Sequence, residues 1–297
     1  MLRLALEKCR ELGLEKVLVT CDKDNIASAK TILANGGVFV NEVVNTGRLT
    51  QRYWIDCPLK SGINGGISAN QDNKRNEIYR MLQALSDEKY AAFSGKLLPG
   101  CKNILGVRLP LLHKAAKQIC DDDWRENLAH GLKGGTFEET MLRGFVIAAS
   151  ECGWREKKRL MQSFVAEIDN WSVCDSFCAS FKIAITKRRE LLPVLKRYIL
   201  SDLEFDVRFA AVMLMTYYLD EEYIDTALCL LSLARHQGYY AATGVAWALS
   251  AAFFARPAQV ACLLRSNEFD ARMVAKTKEK IRQSKRFKPA EHASLIC

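Results

Sequence analysis

From Glu77 to about Arg286, apolar residues recur every three or four positions in nearly every segment. That spacing puts them on one side of an α-helix, whereas strands would alternate apolar and polar residues. Helix-start signals agree: Pro110 suits a first turn, and Thr136 with Glu139 forms a capping-box pattern. This long stretch therefore predicts consecutive helices joined by short connections, which must bury their apolar sides by stacking on one another.

The chain has 297 residues, about twice the usual length of one domain. Stacked helical hairpins of roughly 40 residues resemble a HEAT-type solenoid. The predicted fold class is therefore mainly α, a HEAT-like helical-repeat solenoid preceded by a truncated α/β fragment. We expect an α/β segment at 1–57, a Gly/Asn/Ser-rich linker at 58–73, the helical-repeat domain at 74–287 and a C-terminal tail at 288–297.

Charge favours a polyanionic partner. The net charge is +9, and basic residues cluster at 155–159, 187–189 and 276–288. Several basic clusters on one domain are typical of nucleic-acid binding, although each cluster by itself is more often a solvated helix face. As candidate phosphate contacts the sequence offers Lys187, Arg188, Lys285 and Arg286.

Other sites are not expected. The eleven cysteines are scattered without a Cys-x-x-Cys pair, and the four histidines are far apart, so we predict reduced thiols, no metal and no cofactor. No apolar run is long enough to span a membrane, and the start does not read as a secretory signal. We expect a monomeric cytoplasmic protein.

One short stretch, EIDNWSVCDSF at 167–177, carries Trp171 and Asp175 four positions apart. On a helix, side chains at this spacing project from the same side about one turn apart, so they could share one ligand. A core tryptophan next to a surface or capping acid is the more frequent arrangement for an arbitrary pair. The rest of the chain has to decide between the two.

Five segments in order, ILGVRLPLLHKAAKQI, FEETMLRGFVI, EIDNWSVCDSFCASFK, FDVRFAAVMLMTYY and YYAATGVAWALS, resemble the AlkD-like DNA alkylation repair family. The likeness covers about residues 74–287. It implies an all-helical HEAT-like array that holds duplex DNA in a basic groove and, in active members, excises cationic alkylated bases such as 3-methyladenine and 7-methylguanine.

By this resemblance, Trp171 and Asp175 occupy the catalytic Trp-x-x-x-Asp site, and Trp247 supplies a second aromatic wall. Arg208 would be a basic residue directed at the DNA backbone; an ion pair between helices is the open alternative. The residue types suit the chemistry, because a carboxylate stabilises the oxocarbenium character of glycosidic cleavage and aromatic faces attract cations. The main alternative is a noncatalytic DNA-binding HEAT-repeat protein that recognises unusual DNA structures. A protein-binding scaffold ranks third.

The front segment resembles the C-terminal half of a GNAT acetyltransferase. VLVTCDKDNIASAKTILANGGV looks like a strand and helix of that family, with Asn25 and Ser28 where the cofactor would approach, and QRYWIDC looks like its closing strand. The pyrophosphate loop would have to precede Leu2, so acetyl transfer is not expected. Half a sheet also leaves open edges and an uncovered apolar face.

Overall fold

The structure is a computed structural model, and it describes residues 2–11, 14, 16–45, 48–56, 65–132, 135–266 and 268–296. The chain divides into two compact units, Met1–Asn70 and Gln71–Cys297. The architecture is mainly helical, with a three-stranded sheet in the first unit. Among the described residues, no helix has both the length and the apolar content that crossing a bilayer requires.

The first unit is a small α/β arrangement, as predicted. Its elements are α1 (Leu2–Glu11), β1 (Lys16–Asp22), α2 (Ile26–Ala34), β2 (Gly37–Asn45) and β3 (Arg48–Asp56). The strands pair antiparallel in the order β1-β3-β2. On one face of the sheet, Leu6 and Ile32 from the two helices pack with Tyr53 and Ile55 into a small core.

The other face of this sheet is apolar and exposed. Leu18, Trp54 and Val38 are neighbours across the three strands, and all three are exposed. In the turn before α2, the side chain of Asn25 accepts a hydrogen bond from the Ser28 backbone N–H at 3.0 Å. Asn25 therefore acts as a helix cap here.

From Gly65 onwards the described residues are mainly helical. Its helices are α3 (Gly65–Ala84), α4 (Glu88–Leu97), α5 (Leu109–Asp121), α6 (Trp124–Glu126), α7 (Phe137–Ala149), α8 (Trp154–Val165), α9 (Trp171–Ser180), α10 (Arg188–Ile199), α11 (Glu204–Tyr217), α12 (Ile224–Leu231), α13 (Tyr239–Phe253), α14 (Pro257–Arg265), α15 (Ala271–Gln283) and α16 (Pro289–His292). A π-helical turn, Asn127–Gly131, continues α6, and 3₁₀ turns cover Lys182–Ile185 and Ala293–Leu295.

These helices form two layers. In the first layer, α5, α7, α9, α11, α13 and α15 each contact the next in this order. The second layer contains α6 with its π-helical turn, α8, α10, α12 and α14, which pack on the first. One continuous apolar core lies between the layers, and α11 is buried along almost its whole length. This is a helical-repeat solenoid, which confirms the predicted fold class.

Local sequence explains where several helices begin. The predicted capping box is present at α7: the Glu139 N–H donates to Thr136 Oγ1 at 3.1 Å, and the Thr136 N–H donates to Glu139 Oε2 at 2.8 Å. Pro110 stands in the first turn of α5, where its missing N–H costs nothing. Such caps use backbone donors that a helix start cannot pair internally.

Two segments differ from their expected roles. Of the expected linker, residues 65–73 belong to α3 and 58–64 lie outside the described residues. Part of the expected tail joins the core: Ile296 is 1% exposed, and the His292 ring packs against Phe253 and Phe254 at centroid distances of 5.4 and 5.6 Å. Sequence reasoning missed these two contacts, because 288–297 is too short to show a helical period of apolar residues.

Candidate active site

The start of α9 brings the predicted Trp171 and Asp175 to one side of the helix. Asn170 caps the helix, because its side chain accepts the Val173 N–H at 3.0 Å. Trp171 is the first helical residue, and its indole Nε1–H donates to the carbonyl of Leu97 at the end of α4, at 3.1 Å. This bond fixes the indole ring one turn before Asp175.

Asp175 is held by a buried arginine. Arg208 donates from Nε to Asp175 Oδ1 at 2.9 Å and from its second amino group to Oδ2 at 2.8 Å. Its remaining amino group donates to the carbonyl of Tyr240 at 3.0 Å. The side chain of Asp175 is 18% exposed and that of Arg208 is 6% exposed. A single guanidinium therefore ties α9, α11 and α13 together beneath a partly open carboxylate.

Burial and pairing act on the titration of these two groups in opposite directions. Burial raises the pKa of the Asp175 carboxyl, and the two hydrogen bonds from Arg208 counter that rise. Burial also disfavours the charged guanidinium, but the hydrogen bonds and charge of Asp175 outweigh it and raise the pKa of Arg208. Arg208 stays charged, so Asp175 always faces a fixed positive charge.

Trp247 lies on α13 and is 40% exposed. It lines a depression of about 360 Å³ together with Phe254, which directly follows α13, Lys280 from α15 and Arg286 from the turn after α15. The Arg286 guanidinium stacks over the Phe254 ring at 4.7 Å. The depression thus combines an exposed indole with two cations.

A family model described as DNA alkylation repair enzyme matches residues 78–268. The chain belongs to the DNA alkylation repair enzyme family. No curated protein matches the chain. The matched range holds Trp171, Asp175, Arg208 and Trp247, so every residue of the predicted catalytic set lies inside the family region.

Arg208 departs from the orientation expected for a DNA-backbone contact in this family. Arg208 is 5% exposed and forms an ion pair with Asp175 on a neighbouring helix. This ion pair between helices is the alternative that the sequence left open. Close packing explains this burial, since a Cβ atom built on Gly244 of α13 would lie 3.1 Å from Arg208 Cγ. A phosphate could reach this guanidinium only if the Asp175 pair opened.

The two predicted residues at the start of α10 carry ion pairs in the second layer. Arg188 pairs with Asp220 and stacks over the Tyr223 ring at 4.6 Å. Lys187 pairs with Glu190 at 3.1 Å. Both cations are therefore already paired with nearby carboxylates. They lie at the start of a second-layer helix, whereas Asp175 lies on α9 in the first layer.

The basic cluster at 155–159 contains a lysine that cannot reach a phosphate. Lys157 is 2% exposed, and its Nζ donates to the Ile147 carbonyl at 2.6 Å, to Ser150 Oγ at 2.9 Å and also to the Ala148 and Ser150 carbonyls. It satisfies carbonyls at the end of α7 that the helix leaves unpaired. Of the basic cluster at 155–159, Lys157 is therefore not available to a phosphate.

Sequence reasoning missed a stripe of residues beside Trp247. Tyr239 is 63% exposed, and Lys276 Nζ lies 4.6 Å from its ring centroid and 3.4 Å from Thr243 Oγ1. Spacings of four, from Tyr239 to Thr243 to Trp247 on α13 and from Lys276 to Lys280 on α15, were the available signal. Of the predicted tail contacts, Arg286 lines the Trp247 depression and Lys285 is exposed next to it in the chain.

Metal ligands are not grouped at this site. Within the described residues, no three His, Cys, Asp or Glu side chains are arranged to hold a metal ion. The side chains brought together here are a carboxylate, a guanidinium and aromatic rings.

Proposed function

We propose that this protein is a DNA glycosylase that hydrolyses the N-glycosidic bond of cationic alkylated purines, such as 3-methyladenine and 7-methylguanine, in duplex DNA. The observation that carries the proposal is the partly exposed Asp175 carboxylate, fixed by a bidentate arginine one helical turn from Trp171. Membership of the DNA alkylation repair enzyme family supports the substrate class.

The chemistry asks little of a general acid. A purine alkylated on a ring nitrogen is already a cation and leaves as a neutral base, so positive charge develops on the deoxyribose. Asp175 would stabilise that charge and orient a water for attack on the sugar. Each of its oxygens accepts one hydrogen bond from Arg208, and a carboxylate oxygen has a second lone pair for water.

Arg208 acts as a positioning residue in this scheme. Its two hydrogen bonds lock the carboxylate orientation, and its charge favours the ionised form of a carboxyl whose pKa burial raises. Its bond to the Tyr240 carbonyl transmits this restraint to α13, the helix that carries Trp247.

Trp171 and Trp247 would provide aromatic faces for a cationic nucleotide. Each such contact contributes about 0.5–2 kcal/mol, depending on how much water is excluded. The indole N–H of Trp171 is already occupied by the Leu97 carbonyl, so the ring face is the part of this side chain left for a ligand. A neutral base gains less from these faces, which favours charged lesions.

Phosphate binding would come from the cations beside Trp247. Lys276 contacts Thr243 of α13, and the Trp247 depression is lined by Lys280 and Arg286. The exposed Lys285 adds a further positive charge. Contacts of this kind give affinity without sequence specificity, and that affinity falls as salt rises.

The test is chromatographic detection of free bases released by the full chain from methylated duplex DNA. We expect release of 3-methyladenine and 7-methylguanine, with no release of the neutral base hypoxanthine from a matched inosine duplex. The same bases are measured without protein as a control, because cationic purines also leave spontaneously.

A noncatalytic DNA-binding protein is the second candidate. The observation that favours it is the occupancy of both Asp175 oxygens by Arg208, which offsets the negative charge that catalysis needs. That reading predicts retention of duplex DNA at low salt with no base release above the protein-free control.

A further inference from the structure

A second depression lies in the other layer of the array, away from the helices that carry Asp175 and Trp247. It has a volume of about 260 Å³ and lies between the α6 segment and α8, over α7. Its apolar lining includes Trp124, Leu128 and Leu160, and its rim carries arginines from three elements. Nothing in the proposed glycosylase chemistry uses this depression.

Its size and lining suit one apolar side chain. Sites for drug-sized ligands usually have volumes of about 300–1,000 Å³, so this depression is smaller than such a site. Trp124 is buried except for 7% of its surface, with the Arg125 guanidinium stacked over its ring at 4.2 Å. An aromatic or aliphatic side chain entering here would meet Trp124, Leu128 and Leu160.

The rim has more cationic donors than acceptors. Arg125, Arg143 and Arg159 line the depression with one carboxylate, Glu156. Arg125 pairs with Glu156 at 2.9 and 3.1 Å, and Arg143 pairs with Glu167. Arg159 is exposed and acts on Glu156 only through its charge, with no hydrogen bond or ion pair within the described ranges. The buried Nε–H of Arg143 meets no acceptor there. This excess calls for an anionic ligand.

Two further features mark the same place. The wall with Leu128 and Ala129 is a π-helical turn, a rare conformation that occurs often at functional sites. The exposed Arg155 lies four positions before Arg159 on α8, so the basic cluster at 155–159 extends the positive rim. This cluster has no part in the proposed DNA surface on α13 and α15.

We propose that this depression docks an acidic peptide segment of a partner protein, with one apolar side chain inserted and its carboxylates on Arg159 and Arg155. Charge complementarity selects the acidic segment, and the apolar lining selects a peptide over a phosphate backbone, which has no group to fill it. Because the depression and Asp175 belong to different layers, DNA and the peptide can be bound together.

The test is fluorescence anisotropy of a labelled synthetic peptide made of aspartates and one phenylalanine, titrated with the full chain at low salt. Arg159→Glu is expected to weaken binding by about tenfold or more, because it replaces attraction by repulsion. Ser163→Trp, which fills the depression from an exposed position on α8, is expected to weaken it similarly. Lys196→Glu, the same charge change at an exposed site on α10, should leave binding within about twofold.

Three results would overturn the proposal. They are equal binding by the Ser163→Trp variant, equal binding of a peptide whose phenylalanine is replaced by serine, and displacement of the peptide by an unlabelled DNA duplex. Equal binding of the serine peptide would mean that only charge attraction holds the peptide. Displacement by DNA would mean that the depression belongs to the DNA-binding surface. Circular dichroism melting of each variant confirms that it is folded.

Discussion

At the scale of single residues, Lys157 and Arg208 are both buried cations, but they make different contacts. Arg208 holds the carboxylate of Asp175, whereas Lys157 closes the end of α7 through backbone carbonyls. Neither is available to bind a phosphate in this conformation. Positive charge in this chain is thus partly internal, and the net charge of +9 overstates what DNA can meet.

Replacing Lys157 with methionine tests its capping role. The change removes the donor shared by the Ile147 and Ser150 carbonyls, and an unpaired buried acceptor costs about 1–3 kcal/mol. We expect the free energy of unfolding in urea to fall by about 2 kcal/mol. Lys158→Met, the same substitution one position along α8, should change it by less than about 0.5 kcal/mol.

The same variant carries a pH prediction. Burial lowers the pKa of Lys157 below the ordinary lysine value of 10.5, so the unfolded chain binds this proton more tightly than the folded one. Stability from this group therefore rises as pH increases from the lowered folded pKa towards 10.5. The unmodified protein should gain stability relative to Lys157→Met over that alkaline range; a constant or shrinking difference in urea melts would contradict this.

Some contacts of these residues could be predicted from the sequence and others could not. The spacing of Trp171 and Asp175 shows from the sequence alone that they share a helix face. The sequence does not show that Arg208 is the partner of Asp175, because Arg208 lies on another helix. Their pairing depends on how closely Gly244 of α13 approaches Arg208. Lys157 was hidden by its charged neighbours, since the cluster gave no sign of which lysine turns inward.

At the scale of elements, α13 and α15 form the surface that best suits a nucleic acid. The exposed Tyr239 and Trp247, with the half-buried Thr243 between them, lie beside Lys276 and Lys280. Aromatic rings next to lysines combine stacking with phosphate contact. The family match ends at residue 268, so the lysines of this surface lie beyond the matched range.

Removing both lysines tests this surface. In the variant Lys276→Ala with Lys280→Ala, we expect weaker duplex binding and a plot of log Kd against log salt that is flatter by about 0.9 for each lost phosphate contact. The double variant Lys158→Ala with Lys196→Ala, on α8 and α10, removes equal charge from the second layer and should keep the original slope. Equal slopes for both variants would remove α15 from the DNA surface.

The element boundaries show where sequence reasoning stops. The capping box at Thr136 and Glu139 was predicted and is present, because a cap is specified by residues close in the chain. The π-helical turn at Asn127–Gly131 was not predicted, since it depends on contacts such as Gly131 against Ile78 that lie far apart in sequence.

At the scale of the whole molecule, the C-terminal residues close the solenoid. Ile296 and the His292 ring reach the common core, although sequence reasoning placed them in a C-terminal tail outside the helical-repeat domain. Repeat arrays need a terminal element that covers the last apolar face. α16 and the 3₁₀ turn after it fill this role.

The Ile296→Ala substitution measures this closure. Truncating an isoleucine that is 1% exposed should lower the free energy of unfolding by about 2–4 kcal/mol. Ser294→Ala, two positions earlier and exposed, should change it by less than about 0.5 kcal/mol. If both variants melted like the unmodified protein in urea, the C-terminal residues would have no role in the core.

Single-turnover release of 7-methylguanine from methylated duplex DNA measures whether the Asp175 carboxylate drives base excision. Asp175→Asn keeps the shape and removes the charge, and we expect release to slow by about 100- to 1,000-fold with duplex affinity little changed. Asp206→Asn is the matched control, since Asp206 on α11 is a buried carboxylate that accepts a hydrogen bond from the Ser201 hydroxyl at 2.7 Å instead of pairing with Arg208. Release by Asp175→Asn at the rate of the unmodified protein would mean that the Asp175 carboxylate does not drive base excision.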